Sequence, residues 1–286
     1  MSSHEVIAVL FNYQLMSSLS ALQIIFTGNR TLKSQIIIQS AAQRPDLKDA
    51  ADEIIYHNWP LFMQNSPMGD EYWDELFKPD FSHFQQFAIL QQGEKQRLIG
   101  VANSVPFPWE GGSLEQLPDS GWDEVLRRGM LARGKTGTKM LSALSVTVSP
   151  EFRGKNLPAL LIGGLKQVAI KVGLKGLVVP VRPTLKKCYP LQDFAQYCEW
   201  KNDKNEPFDP WIRAHWRLGA RIIQPAMRSM YIDATLDKWQ EWTEMKFPQS
   251  GQYVIPGGLV PLVVDIQQQT GYYIEPNLWM SYSLNA

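Results

Sequence analysis

The stretch from Met140 to Val181 leaves its backbone few choices. MLSALSVTV places Leu144, Val146 and Val148 on one side and Ser145 and Thr147 on the other, the two-residue period of a strand. The next residues, SPEFRGKN, end that strand in a turn rich in breakers. Leu157 to Val172 then reads as a helix, Gly173 ends it, and Gly176 to Val181 is strand again. Strand, turn, helix and strand in that order form the repeating unit of an α/β body.

The turn itself carries chemistry. It delivers Arg153, Gly154 and Lys155 to the start of a helix. There several backbone N–H groups lack intrahelical partners and face one spot, at the positive end of the helix dipole. Such a turn is a ready seat for a phosphate or pyrophosphate, and the two cations reinforce it. It matches neither GxxxxGK[ST] nor GxGxxG.

The rest of the chain interleaves in the same way. Ser34 to Ser40 reads as a strand, Asp46 to Phe62 as a helix ending near Pro60, and Asp70 to Phe77 as a short helix. Gln86 to Gln91 and Leu98 to Pro106 pair as strands about a turn near Gly93, and PFPWEGG follows as a loop. Trp122 to Ala132 is helical. A proline-rich, aromatic segment, residues 183–210, leads to a helix from Trp211 to Leu218, with Asp209 as its N-cap. Arg221 to Ile223 and Met230 to Asp233 read as strands and Leu236 to Met245 as a helix. Leu259 to Ile266 and Gly271 to Tyr282 form a closing hairpin.

Composition narrows the function classes. The 286 residues are 44% apolar and 20% charged, too hydrophobic for a disordered chain. Twenty-eight basic residues balance 28 acidic ones, which removes the electrostatic drive for non-specific nucleic-acid binding. Cys188 and Cys198 fit neither a disulfide framework nor a CxxC site, and His4, His57, His83 and His215 show no metal-ligand spacing. The expectation is no metal and a reducing, cytoplasmic setting. Val6 to Gly28 lacks charge, but Asn12, Gln14, Gln23 and several hydroxyl residues dilute it, and no basic segment precedes it. It reads as an added N-terminal element or a poorly ordered leader rather than a membrane anchor.

VTVSPEFRGKNLPALLIGGLKQVAIKVGLKGLVVPV resembles the acetyl-CoA-binding motif of the GNAT superfamily of acyltransferases, V-x-P-x-x-R-G-x-G-x-G/A between a strand and a helix. Val148, Pro150, Arg153, Gly154 and Lys155 match in place. The family's two later glycines are Asn156 and Pro158 here. Asparagine tolerates left-handed geometry, whereas proline removes one N–H donor. The resemblance implies that Ser145, Val146 and Val148 border the pantetheine arm of an acetyl- or other short acyl-CoA. It implies that the amides of Arg153, Gly154, Lys155, Asn156, Leu157 and Ala159 hold the pyrophosphate. HWRLGARII is similar to the family's later motif, F-Y-x-x-x-G-F, whose Tyr often protonates the leaving thiolate. His215 stands four residues before Gly219, in that place.

A narrower resemblance, through VRPTLKKCYPL, EPFDPWIRAHWRLGA, EWTEMKFPQSGQYVIPGGLVP and YYIEPNLWM, is to GNAT-like domains of polyketide synthase loading modules. Those domains move a short acyl group to a carrier-protein thiol, and some were assigned malonyl decarboxylation. They are described as using a His and a Thr, for which His215 and Thr184 stand here. Around this frame, Trp109 is a candidate to line an acyl channel and Glu110 a candidate base near the acceptor. Glu275, in the last hairpin, reads as an edge-strand charge or a group facing the acyl site, and Arg228 as a surface charge.

The expected fold is thus α/β, a mixed, splayed central sheet with helices on both faces. Residues 1–33 form an extension and residues 34–286 the acyltransferase domain. The coenzyme would enter the wedge between Leu144–Val148 and Gly176–Val181, with His215 moving the proton near neutral pH. The acceptor is a small-molecule amine or an acyl carrier protein, and a non-catalytic acyl-CoA-binding domain is the alternative.

Overall fold

A computed structural model describes residues 23–26, 34–137 and 139–284. Ten strands form one sheet: β1 (Gln23–Phe26), β2 (Ser34–Ser40), β3 (Gln86–Gln92), β4 (Lys95–Pro108), β5 (Lys139–Val148), β6 (Leu177–Val181), β7 (Arg221–Thr235), β8 (Gly251–Tyr253), β9 (Leu262–Asp265) and β10 (Thr270–Tyr282). Eight α-helices accompany them: α1 (Lys48–Tyr56), α2 (Leu61–Gln64), α3 (Pro67–Tyr72), α4 (Gly121–Leu131), α5 (Leu157–Lys171), α6 (Phe194–Glu199), α7 (Pro210–Arg217) and α8 (Leu236–Thr243). Strands β1 to β6 follow chain order. The last strand, β10, inserts between β6 and β7 and also carries the β9–β8 ribbon. Most neighbours are antiparallel; β5 and β6 run parallel. The expected mixed sheet with helices on both faces is the fold observed.

The two faces follow from strand alternation. Phe87, Ile89 and Val101 point to one face and pack with Ala51 of α1. Their neighbour Ala88 pairs with Ile38 and Gly100, and those residues meet α5: Gly164 lies against Ile38, and Gly100 against Leu161. Helices α1 and α5 therefore cover opposite faces. The residues under α1 form a small cluster of their own, while the main core runs from Phe62 and Trp122 to Leu157, Leu161 and Leu165.

Most expected elements occur within a residue or two. The helix foreseen from Asp46 to Phe62 breaks after Tyr56 and restarts at Leu61, because Pro60 has no N–H to continue the ladder and becomes the N-cap of α2. The two short strands around Pro225 are one strand, β7. Its outer edge has no strand partner, so the ring removes no ladder bond. Helix α6, inside the proline-rich segment, went unforeseen; Asp193 caps it by accepting from the Gln196 amide. Of the expected N-terminal extension, residues 1–33, only Gln23–Phe26 are among the described residues, and the rest lies outside them. Among the described residues no helix is long and apolar enough to cross a membrane.

Candidate active site

Parallel strands β5 and β6 share only two register pairs, Leu141↔Leu177 and Ser142↔Val178. Beyond Ser142 they part, and the edge of β5 that faces β6 has no ladder partner. A break in register against β4, between Asn103↔Ser145 and Ser104↔Ala143, puts a bulge at Leu144 where the strands separate. Val146 and Val148 pair with Ala102 and Gly100 and share the α5 face. Ser145 and Thr147 share the α1 face, where the Ser145 hydroxyl donates to Asn103 Oδ1 at 2.8 Å.

The turn at the open end of this wedge is preformed. Arg153 is extended, Gly154 has φ +76°, and Asn156 has φ +58° before α5 begins at Leu157. No Cβ-sized obstacle surrounds Gly154, so its backbone conformation, not space, calls for glycine. Asn156 supplies the second left-handed residue without glycine. The Arg153 amide closes a turn on the Pro150 carbonyl, and the Ala159 amide bonds to the Asn156 carbonyl at 3.2 Å. The expected row of amides thus narrows to Gly154, Lys155, Asn156 and Leu157, whose N–H groups have no partner among the described residues. Lys155 lies over the Phe152 ring at 4.9 Å, and the Arg153 guanidinium donates to Asn58 Oδ1, just beyond α1. Four orphan amides at a helix start, beside two exposed cations, suit an anionic pyrophosphate.

On the α1 face a cavity of about 340 Å³ adjoins the same strand. Asp52, Asp70 and Asp74 line it with Tyr56, Trp59, Trp73, Trp122 and Met230. Trp59 Nε1 donates to Thr147 Oγ1 at 3.2 Å and Trp122 Nε1 to the Leu144 carbonyl at 2.9 Å, so the cavity wall touches β5 at both levels. Trp73 stacks on Trp122, with ring centroids 6.4 Å apart. The Asp52 Oδ1 atom is sealed from solvent and has no hydrogen-bond partner.

His215 lies at the other end of β6. It is fully buried on α7, with the Trp211 ring edge-on at 4.5 Å and Nδ1 2.7 Å from the Tyr282 hydroxyl. Tyr282 pairs with Leu177, at the closed end of the wedge, and Lys166 of α5 covers its ring at 4.2 Å. Burial raises the Tyr282 phenol above its ordinary value and pulls the imidazole down to about 3. The expectation that His215 titrates near neutral pH is corrected: complete desolvation keeps it uncharged. Its Nε2 is buried without a partner.

The remaining expected residues scatter. Thr184 is exposed after β6, beside Leu185, whose amide donates at 2.7 Å to Asp209 at the start of the helix that carries buried His215. Trp109 and exposed Glu110 follow β4, whose Pro108 pairs with Lys139 at the start of β5, and line a separate cavity of about 440 Å³ with Arg128 and Lys135. Asp209 is the N-cap of α7, accepting from the Trp211 and Ile212 amides. Glu275 is no edge charge. It is fully buried, holds Arg182 through two bonds of 2.8 and 3.0 Å, and accepts from the Tyr273 hydroxyl at 2.8 Å. Arg182, directly after β6, also donates to the Gly257 carbonyl at 2.6 Å. This cluster fixes the mouth of the wedge, and sequence signalled it only as two charges 93 positions apart.

No protein-family model matches the chain. It is 31% identical over 275 residues to the Arginine N-acetyltransferase avaD of Aspergillus versicolor, an alignment covering 87% of this chain and 94% of that one. Its fold is similar to the loading GNATL domain of CurA from Lyngbya majuscula, with a TM-score of 0.53, 17% identity, and coverage of 88% and 98% of the two chains. It is also similar to the GphF GNAT-like decarboxylase in complex with isobutyryl-CoA, with a TM-score of 0.52, 15% identity, and coverage of 87% and 99%. With the splayed β5–β6 wedge, the basic turn into α5 and this full-length relative, the chain belongs to the GNAT superfamily and is an acyltransferase.

Proposed function

We propose that the enzyme moves an acetyl or other short acyl group from coenzyme A to the nitrogen of a small, positively charged acceptor. The observation that carries this reading is the wedge with its turn: an unpaired β5 edge leading to the orphan amides of Gly154–Leu157. The amides and the Arg153 and Lys155 cations would hold the pyrophosphate. Val146 and Val148 would border the pantetheine arm, which runs toward the Leu144 bulge. An acceptor amine, entering from the α1 face as the free base, attacks the thioester carbonyl. The C–N bond forms, the C–S bond breaks, and the proton lost by nitrogen ends on the coenzyme thiolate.

His215 enters this reading as an uncharged donor. In this reading the Tyr282 hydroxyl, 2.7 Å away, donates to Nδ1, and the ring proton stays on the unpartnered Nε2. That N–H, by the closed end of the wedge, would steady the departing sulfur without titrating. The relative's name, an arginine N-acetyltransferase, supports an amine- or guanidine-bearing acceptor. Loading-type transfer or decarboxylation by a His–Thr pair is less favoured, because Thr184 is exposed while His215 is fully buried. Acetyl-CoA incubated with arginine, agmatine or phenethylamine, with thiol release and product mass followed together, tests the reading. Thiol release coupled to an acetylated amine is expected. Turnover only with a carrier-protein thiol would overturn it.

A further inference from the structure

We propose that the cavity between α1, α3 and α4 is the acceptor subsite, and that it selects a cationic amine or guanidine whose carboxyl group is absent or masked. This rests on the reading of the β5–β6 wedge as the acyl-CoA site. Its position follows from contacts on either side of the wall. Trp59 and Trp122 hold the cavity to Thr147 and Leu144, the strand that flanks the wedge. Asn58, the neighbour of Trp59, receives the Arg153 guanidinium from the turn. A molecule in the cavity therefore lies across one strand from the coenzyme arm.

The selectivity follows from what lines it. Tyr56, Trp59, Trp73 and Trp122 line it, and aromatic rings favour cations. Three carboxylates share the wall, and no lysine or arginine does. Close behind it, Lys48 is held by Asp52 at 2.7 Å and Asp74 at 3.0 Å. Those four groups sum to two negative charges. Among the described residues Asp70 has no ion-pair partner, and exposed Asp74 pairs only with Lys48. An ammonium or guanidinium supplies the missing donors in charge-assisted form. A free α-carboxylate would meet like charges and find no unengaged cation, so arginine should be a poorer acceptor than the same side chain without it.

Steady-state kinetics on the full chain, with acetyl-CoA and arginine, argininamide or agmatine as acceptors, test this, beside calorimetry with desulfo-coenzyme A. Agmatine and argininamide should exceed arginine in kcat/KM by roughly tenfold, one unpaired carboxylate set against two net charges. Asp70→Asn, at an exposed position that a folded chain tolerates, should raise KM for agmatine roughly three- to tenfold with kcat nearly unchanged. Asp70→Lys should narrow or invert the preference for argininamide over arginine. Coenzyme affinity should stay at the wild-type value in both variants. Equal use of arginine and argininamide, or an Asp70→Lys enzyme with unaltered preference, would overturn the proposal. So would desulfo-coenzyme A binding without any agmatine binding or turnover. Loss of coenzyme binding by the wild type itself would instead defeat the reading of the wedge.

Discussion

The two sides of β5 recognise their ligands by opposite means. Toward the turn, recognition is made of backbone: four unpaired amides, an unladdered strand edge and two left-handed residues, all from one contiguous segment. Toward α1 it is made of side chains: carboxylates and aromatic rings gathered from α1, α3, α4 and the segments beside them, with Met230 from β7. The first surface accepts any ligand bearing a pyrophosphate and an extended arm. The second is set by the identity of each side chain, so changes of acceptor can be accommodated there while the coenzyme side stays as it is.

The largest expected effect concerns the clamp that holds both sides in place. Glu275→Ala leaves the half-buried Arg182 guanidinium and the buried Tyr273 hydroxyl without their acceptor and should cost about 2–4 kcal/mol of stability. Chemical denaturation checks it. A loss below about 1 kcal/mol would mean that the Gly257 carbonyl alone suffices to hold the mouth.

A second contrast lies in pH. Asp123 of α4 is half-buried, accepts the Tyr231 amide at 2.8 Å, keeps Oδ1 unpartnered and is pushed up to about 7, chiefly by desolvation. Between its ordinary value of 3.8 and 7 the folded chain binds more protons than the unfolded one, so this group lowers stability as pH rises through that window. Asp123→Asn should remove the slope and raise stability at pH 8 by on the order of 2–4 kcal/mol. His215 acts with the opposite sign. Held down at about 3, it binds fewer protons folded than unfolded, so stability falls as pH drops below 6.5. Melting curves of the wild type and Asp123→Asn from pH 4 to 8 separate the two contributions. An Asp123→Asn profile parallel to the wild type would contradict the assignment.

On the coenzyme side a smaller effect is expected from Pro158, which lies in the first turn of α5 and offers no amide. Pro158→Gly should tighten coenzyme binding by about 0.5–1.5 kcal/mol, reduced in part by a looser helix start. Weaker binding would show that the turn is shaped around the proline.

The same difference explains what is legible in the amino-acid sequence. The strand, turn and α5 are contiguous, and their φ-demanding residues are written in order, so the places of Val148, Arg153, Gly154 and Asn156 follow from their spacing alone. Breaker chemistry also explains the misreadings nearby: Pro60 splits a helix whose apolar period runs on, while Pro225 sits harmlessly on a free edge. The acceptor cavity has no such signal. Asp52, Asp70 and Trp122 meet only after the sheet brings α1, α3 and α4 together, and each alone reads as a helix-surface or core residue. Trp109 and Glu110 stand out in their loop, yet antiparallel β4 carries them to the far end of β5. His215 stands out by motif position; its burial, which sets its charge, depends on Tyr282 and Trp211.

The central claim is that the turn before α5 binds the coenzyme pyrophosphate. Calorimetric titration of desulfo-coenzyme A into the wild type and Arg153→Glu tests it most directly. Replacing a cation with an anion at that turn should weaken binding by about 2–4 kcal/mol, while the melting temperature stays near the wild-type value. An unchanged dissociation constant in a folded Arg153→Glu protein would contradict the account.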